Sequence, residues 1–248
     1  MKYAKFDYFN YDAVSFTFDN LNAIVVKPSV KPNGKFVLKT EYFDAFPDTQ
    51  NEFLNRGYHL VFNQNYNGWA TEKDIARKGE FVNFIAKEFN LSRRCIPIGM
   101  SCGGLYACKF AVMFPNLIDV LYLDAPVMNL LSCPCDLGIA KSNIFESFYN
   151  ATGLTKSQML SYRDNPIDKM DVLLKNDIPI VMVAGGSDII VPYEENGEIL
   201  ENFYTRNGGR IKVFIKSECG HHPHGLEDYE RVVDQIEKFS EENAKRSI

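Results

Sequence analysis

Cysteine is scarce in this chain: six in 248 residues, none in a Cys-x-x-Cys pair, with only Pro134 between Cys133 and Cys135. That is too few for a disulfide scaffold, and the spacing argues against a zinc ribbon or a redox dithiol. Cys95, Cys108 and Cys219 stand in or beside apolar segments and read as small buried hydrophobes. Positive charge is not in excess either. With 27 Lys and Arg against 32 Asp and Glu, the net charge is −5 and the pI about 5.5. Such a chain offers no field to hold a phosphate backbone, so nucleic acid is not expected as a partner. No apolar run approaches the roughly 18 residues of a membrane span, and the opening residues mix acids with aromatics instead of forming an apolar signal segment. The expectation is a cytoplasmic protein that does not engage a membrane. Internal repeats, low-complexity tracts and linkers are also lacking. At one domain per roughly 150 residues, and with α/β folds of this size commonly forming one unit, residues 1–248 read as a single domain.

What is present is the material for a large core, with 46% hydrophobic and 24% charged residues. Short β-rich runs occur at 13–18, 23–26, 36–38, 58–62, 95–98, 118–123, 178–184 and 211–215. Between the later ones lie segments of helical period. Ile75, Val82, Ile85 and Phe89 share one face of a helix whose start carries a capping-box pattern, Thr71 with Asp74. Residues 102–114 are rich in Gly and Ala, which permits close approach to a sheet, and Pro115 stops them. Tyr229, Val232, Val233, Ile236 and Phe239 repeat at helical spacing and predict a last helix packed on the sheet. The early strands follow one another directly and the later ones alternate with helices. This predicts an α/β fold: an antiparallel edge leading into a mostly parallel central sheet of about eight strands, covered by helices on both faces. Residues 127–174 fit neither period and are expected to form a small cap-like insertion over the sheet's C-terminal edge that helps shape a pocket, or else a long connection that only covers core.

The stretch from Cys95 to Leu105 carries the clearest chemistry. A β-run enters Gly99-Met-Ser101-Cys-Gly103 and a small-residue helix leaves it, the context a Gly-x-Ser-x-Gly nucleophile elbow requires. Ser101 is preferred as nucleophile over Cys102, because a frame centred on Cys102 puts Met100 where the first glycine belongs. A serine hydroxyl needs a base within hydrogen-bond reach and a third group to orient that base. The chain has four histidines. His59 opens an apolar strand run and reads as structural. The others lie together in Gly220-His221-His222-Pro223-His224, between the last strand and the last helix. His221, in a Gly-His step, is favoured as the base; His222 and His224 would hold the loop or hydrogen-bond a ligand. Metal binding is not expected, since these histidines lie in a turn with no matching Cys or carboxylate cluster. For the acid, Asp188 follows the penultimate strand in Gly-Gly-Ser-Asp and completes the order serine, acid, histidine. Asp124, at the end of the preceding strand, is the alternative.

At this point the sequence resembles the α/β-hydrolase superfamily over nearly its whole length. More narrowly, it is similar to bacterial esterase-like hydrolases with a Gly-Met-Ser-x-Gly-Gly-Leu elbow, here residues 99–105, and a Gly-His-His-Pro-His loop, here 220–224. Segments 124–127, 165–168 and 191–196 add Asp-Ala-Pro-Val, Asn-Pro-Ile-Asp and Val-Pro-x-Glu-Glu-Asn in the same order. Members often carry Arg after the elbow serine, where this chain has Cys102, so a contact made by that side chain does not carry over. The resemblance implies an oxyanion hole made by the Cys102 N–H and one N–H within Thr40-Glu41-Tyr42, of which Glu41 is the choice. Tyr66 and Trp69, in the loop after the fourth strand, are expected to form an aromatic pocket wall with His222 in the substrate site; core packing is the alternative for Trp69. The expectation is a serine esterase for a small acyl group on an alcohol or sugar. It would use no cofactor and no metal; self-association into a homo-oligomer is left open. A prolyl-oligopeptidase-type peptidase shares the fold and triad, but its usual N-terminal propeller does not fit in 248 residues. A non-catalytic binding protein on the same scaffold is the reading from another class.

Overall fold

A computed structural model describes residues 2–246. The chain begins with three antiparallel strands, β1 (Ala4–Tyr8), β2 (Tyr11–Phe18) and β3 (Leu21–Val26), with Tyr8 paired to Tyr11 and Phe18 to Leu21. The two-residue reversals between them, Phe9 with Asn10 and Asp19 with Asn20, have φ of 46° to 68°. Two successive left-handed residues are what a type I′ hairpin turn demands, and Asn and Asp tolerate them best after glycine. Next come β4 (Phe36–Lys39), α1 (Asp48–Asn55), β5 (His59–Asn63), α2 (Glu72–Glu88), β6 (Ile96–Met100), α3 (Cys102–Met113) and β7 (Leu121–Asp124). The segment that follows carries α4 (Phe145–Thr152), α5 (Lys156–Met159) and α6 (Met170–Lys175), and the chain closes with β8 (Ile180–Gly185), α7 (Gly197–Arg206), β9 (Ile211–Lys216) and α8 (Glu230–Arg246).

These strands form one sheet in the order β1-β2-β3-β5-β4-β6-β7-β8-β9. From β5 to β9 every pairing is parallel, while β3 meets β5 antiparallel. The sheet has nine strands, one more than the β-rich runs predict. The addition is β1, whose residues Ala4 to Asp7 are all exposed. An edge strand whose one buried residue is Tyr8 leaves no alternation to read.

Two cores flank the sheet. One gathers Phe81, Val82, Tyr106, Phe110, Leu123 and Leu200 beneath α2, α3 and α7; the other gathers Phe53, Leu54, Tyr122, Val232 and Ile236 beneath α1 and α8. α3 is buried over nearly its whole length and lies so close to its neighbours that side chains are excluded at several positions. A Cβ on Gly99 would stand 2.6 Å from the Gly103 carbonyl oxygen, and one on Gly104 would stand 2.7 Å from the Pro126 Cα. Gly104→Val is therefore expected to destabilise the fold by about 1–3 kcal/mol through overpacking against backbone. An unchanged urea midpoint would contradict this.

The capping box expected at Thr71 is not formed. Thr71 Oγ1 instead donates to Asp74 Oδ2 at 3.0 Å, and Asp74 turns inward to accept from the Tyr66 N–H at 2.8 Å and the Tyr106 hydroxyl at 3.2 Å. Residues 127–174 are pinned to the body of the protein. Asn196 Oδ1 accepts from the N–H groups of Met128 and Asn129 at 2.9 and 3.0 Å, and within the segment Asn165 Oδ1 accepts from that of Leu130 at 3.1 Å. This segment helps α2 and α3 to enclose a cavity of about 520 Å³, lined among others by Ile75, Lys109, Asp164 and Lys169. No helix among the described residues is long and apolar enough to cross a membrane.

Candidate active site

Parallel strands deliver their following loops to one edge of a sheet, so the ends of β6, β7, β8 and β9 converge there. β6 runs into Ser101, which has φ 51° and ψ −122°, and the chain then turns at once into α3. A left-handed serine is costly in isolation. Here it is held by backbone bonds on both sides: its N–H donates to the Asp124 carbonyl at 2.9 Å, and its carbonyl accepts from the Val127 N–H at 3.0 Å. The result is a hydroxyl lifted clear of the sheet at the head of a helix.

His221, on the loop after β9, places Nε2 3.0 Å from Ser101 Oγ and Nδ1 2.7 Å from Asp188 Oδ2. Asp188 is fixed in turn. Its Oδ1 accepts from the N–H groups of Ile190 and Val191 at 2.8 and 2.9 Å, which leaves Oδ2 for the histidine. The Asp188 and His221 side chains are only 1% and 6% exposed, so their pairing is shielded from water. Asp124, the alternative acid, is engaged elsewhere. Its Oδ1 meets His224 Nδ1 at 2.6 Å, and its Oδ2 accepts from the Gly225 N–H at 2.6 Å and the Tyr122 hydroxyl at 3.2 Å. The loop after β9 is thus braced by two separate His–Asp pairs.

Beside Ser101 lies a cavity of about 240 Å³ lined by Tyr42, Ala45, Phe46, Met100, His221, His222 and His224. His222 stacks on Phe46, with ring centroids 5.5 Å apart and planes 13° from parallel. Tyr66 and Trp69 do not line this cavity, contrary to the expected aromatic wall. Trp69 is buried, with Nε1 donating to Ser147 Oγ at 3.1 Å and its ring edge-on to Phe148; Tyr66 lies beneath the Lys73 ammonium. The wall is built from the loop after β4 instead, with Tyr42, Ala45 and Phe46. No residue of 127–174 lines it; residues of that segment line the separate 520 Å³ cavity. The position of the β4 loop at a carboxyl edge is the signal that could have found Phe46.

Glu41 packs against the elbow at Gly103, where an added Cβ would stand 3.2 Å from Glu41 Cβ and 3.6 Å from its backbone nitrogen. Within the β4 loop the Thr40 N–H donates to the Ile98 carbonyl at 3.1 Å. Among the described residues, no backbone carbonyl accepts from the N–H of Glu41 or of Cys102. The Glu41 carboxyl is raised by burial, against a hydrogen bond from Asn65. Burial also pushes the Cys102 thiol up to about 11, which keeps it protonated and unreactive at neutral pH.

Lys39 lies fully buried behind the cavity, with Nζ 3.1 Å from both the Ala45 carbonyl and Met100 Sδ. Burial lowers its pKa from 10.5 to about 7, against the attraction of Asp124 and Asp44. Between those values the unfolded chain binds a proton that the folded one does not, so this lysine makes stability rise with pH. Below about 7 both states carry the charge, and the cost of the buried ammonium is present in full. Lys39→Met is therefore expected to gain on wild type at neutral pH and to lose that relative advantage as pH rises toward 10. Parallel stability curves for the two proteins from pH 6.5 to 10 would refute this.

The doubly covered, mostly parallel sheet with a strand–serine–helix elbow defines the α/β-hydrolase fold. Solved structures of that class match it. A puromycin hydrolase superposes with a TM-score of 0.66 at 18% identity, covering 92% of this chain and 38% of its own. The acylaminoacyl peptidase of Pyrococcus horikoshii gives 0.63 at 12%, covering 92% and 40%. MGS-MChE2, an alpha/beta hydrolase enzyme from a lagoon-sediment metagenome, gives 0.55 at 16%, covering 93% and 99%. The chain therefore spans about two fifths of the first two proteins and nearly all of the third. No protein-family profile matches the sequence.

Proposed function

We propose that this protein is a serine hydrolase that cleaves carboxylic esters of small acyl groups, borne on an alcohol or a sugar. The observation that carries this reading is the unbroken relay Asp188–His221–Ser101, at 2.7 and 3.0 Å, opening on a cavity of about 240 Å³. Ser101 Oγ attacks the ester carbonyl while His221 Nε2 takes its proton. Asp188 accepts from Nδ1–H, fixes the tautomer and offsets the charge of the imidazolium. The N–H groups of Cys102 and Glu41 receive the developing oxyanion. The imidazolium then protonates the departing alcohol, and water activated by the same histidine clears the acyl-enzyme. His222 and Phe46 would form one wall for the substrate.

Peptide bonds are the second reading, favoured by the puromycin hydrolase and acylaminoacyl peptidase among the structural matches. An alkoxide leaves more readily than an amine, so ester cleavage demands less of the acid step. A panel of aryl esters from acetyl to octanoyl, acetylated sugars, and aminoacyl and dipeptidyl anilides separates the readings. The ester proposal expects the highest kcat/KM on acetyl to butyryl esters and a fall beyond. A preference for anilides over every ester would replace it with the peptidase. Failure of a fluorophosphonate probe to label Ser101 would favour a non-catalytic binding protein.

A further inference from the structure

We propose that His221, His222 and His224 form a binding site for a divalent ion that favours imidazole nitrogen, of the Zn²⁺ class, and that filling it switches the hydrolase off. The second half rests on the serine-hydrolase reading above; the first does not.

In sequence the three histidines sit in a turn without the three- or four-residue spacing of a metal-binding helix. In space they converge. Their ligating nitrogens lie within 4.8 Å of one another, and their ring centroids are 4.8, 5.0 and 5.0 Å apart. An ion with Zn–N of about 2.0–2.1 Å in tetrahedral geometry places three imidazole centroids about 5 Å apart and their nitrogens about 3.4 Å apart. The rings already have the required separation, and ring rotation supplies the rest. His222 is exposed, and among the described residues nothing hydrogen-bonds its ring nitrogens, so turning it costs only its stacking on Phe46.

The outer shell is in place as well. Metal-bound histidines almost always give their other ring nitrogen to a carboxylate or carbonyl, which fixes the ring and strengthens the ligand. His221 and His224 both do so, through Nδ1 to Asp188 and to Asp124. These buried carboxylates would offset the charge of the ion, with side-chain exposures of 1% and 2%. Each of the two histidines keeps Nε2 as its remaining nitrogen, and all three line the same cavity. Water would complete the coordination.

The consequence follows from one lone pair. His221 Nε2 now faces Ser101 Oγ at 3.0 Å. If that pair is donated to an ion it cannot take the serine proton, and the hydroxyl stays protonated and unreactive. No bond is made or broken in the substrate, so removing the ion restores the base.

The test is titration calorimetry of the intact protein with ZnCl₂, with MgCl₂ as the hard-ion control. One Zn²⁺ per chain is expected in wild type and in Ser101→Ala, with affinity at least tenfold weaker in His222→Ala and in His224→Gln, and no binding of Mg²⁺. Circular dichroism confirms that each variant is folded, and the exposed position of His222 makes its variant the safer of the two. No zinc binding, or equal affinity in wild type and both histidine variants, overturns the site. Ester hydrolysis should fall with the same zinc midpoint and recover on addition of EDTA. Zinc bound without loss of rate overturns the switch and keeps the site. A protein inactive on every substrate of the panel would remove the switch together with the hydrolase reading, while calorimetry still decides the site.

Discussion

Ser101→Ala is expected to lower kcat on a short-chain aryl ester by about 10⁴- to 10⁶-fold, with KM changed far less and the fold intact. Members of a nucleophile–base–acid unit fail together, so removing one forfeits most of the rate and leaves only what the oxyanion donors and binding supply. The Ser101 side chain has His221 as its hydrogen-bond partner, and the unusual backbone at 101 is held by the main chain around Asp124 and Val127. Alanine meets the same φ restriction as serine, so thermal stability should barely move. Turnover within tenfold of wild type would remove Ser101 from the chemistry and redirect attention to a thiol or to water.

Asp188→Asn should be nearly as damaging, at about 10⁴-fold in kcat, for a reason specific to this loop. Asp188 Oδ1 accepts two backbone N–H groups, from Ile190 and Val191. An asparagine must keep its oxygen toward those donors, which turns its NH₂ group toward His221 Nδ1. The imidazole must then accept at Nδ1 and carry its proton at Nε2, where Ser101 needs an acceptor. Asp124→Asn gives the matched control. Its partner is His224, so its loss should be smaller by about a hundredfold or more, since it does not touch the relay. Equal losses in the two variants, measured by kcat across pH 5 to 9, would mean that the carboxylates act through loop structure and not through the tautomer.

How much of this site was legible in the sequence depended on how local each demand was. The elbow is a matter of consecutive residues: Gly99, Gly103 and Gly104 are glycines because neighbours occupy the space a Cβ would take. Motif order and a small supply of histidines singled out Ser101, Asp188 and His221, which the structure brings into one hydrogen-bonded row. The cavity wall is not legible there because it depends on strand order. The chain visits β4 before β5, yet β4 lies beside β6 and β5 lies one place further out. The loop after β4 therefore borders Ser101, and the loop bearing Tyr66 and Trp69 does not. No periodicity encodes that exchange. The Thr71–Asp74 pattern misled for a related reason, since Tyr66 and Tyr106 compete for the carboxylate that a cap would use. The free backbone donor at Glu41 belongs to loop conformation, which residue type does not reveal.

The relay joins residues 120 positions apart, Ser101 at mid-chain and His221 near the end. At translation speeds of about 5–20 residues per second, a nascent chain carries Ser101 for roughly 6–24 s before His221 has been made. Over that interval the serine lacks the imidazole that the proposed chemistry requires. On the proposed reading, hydrolysis therefore begins only once residue 221 has been made and folded against Ser101.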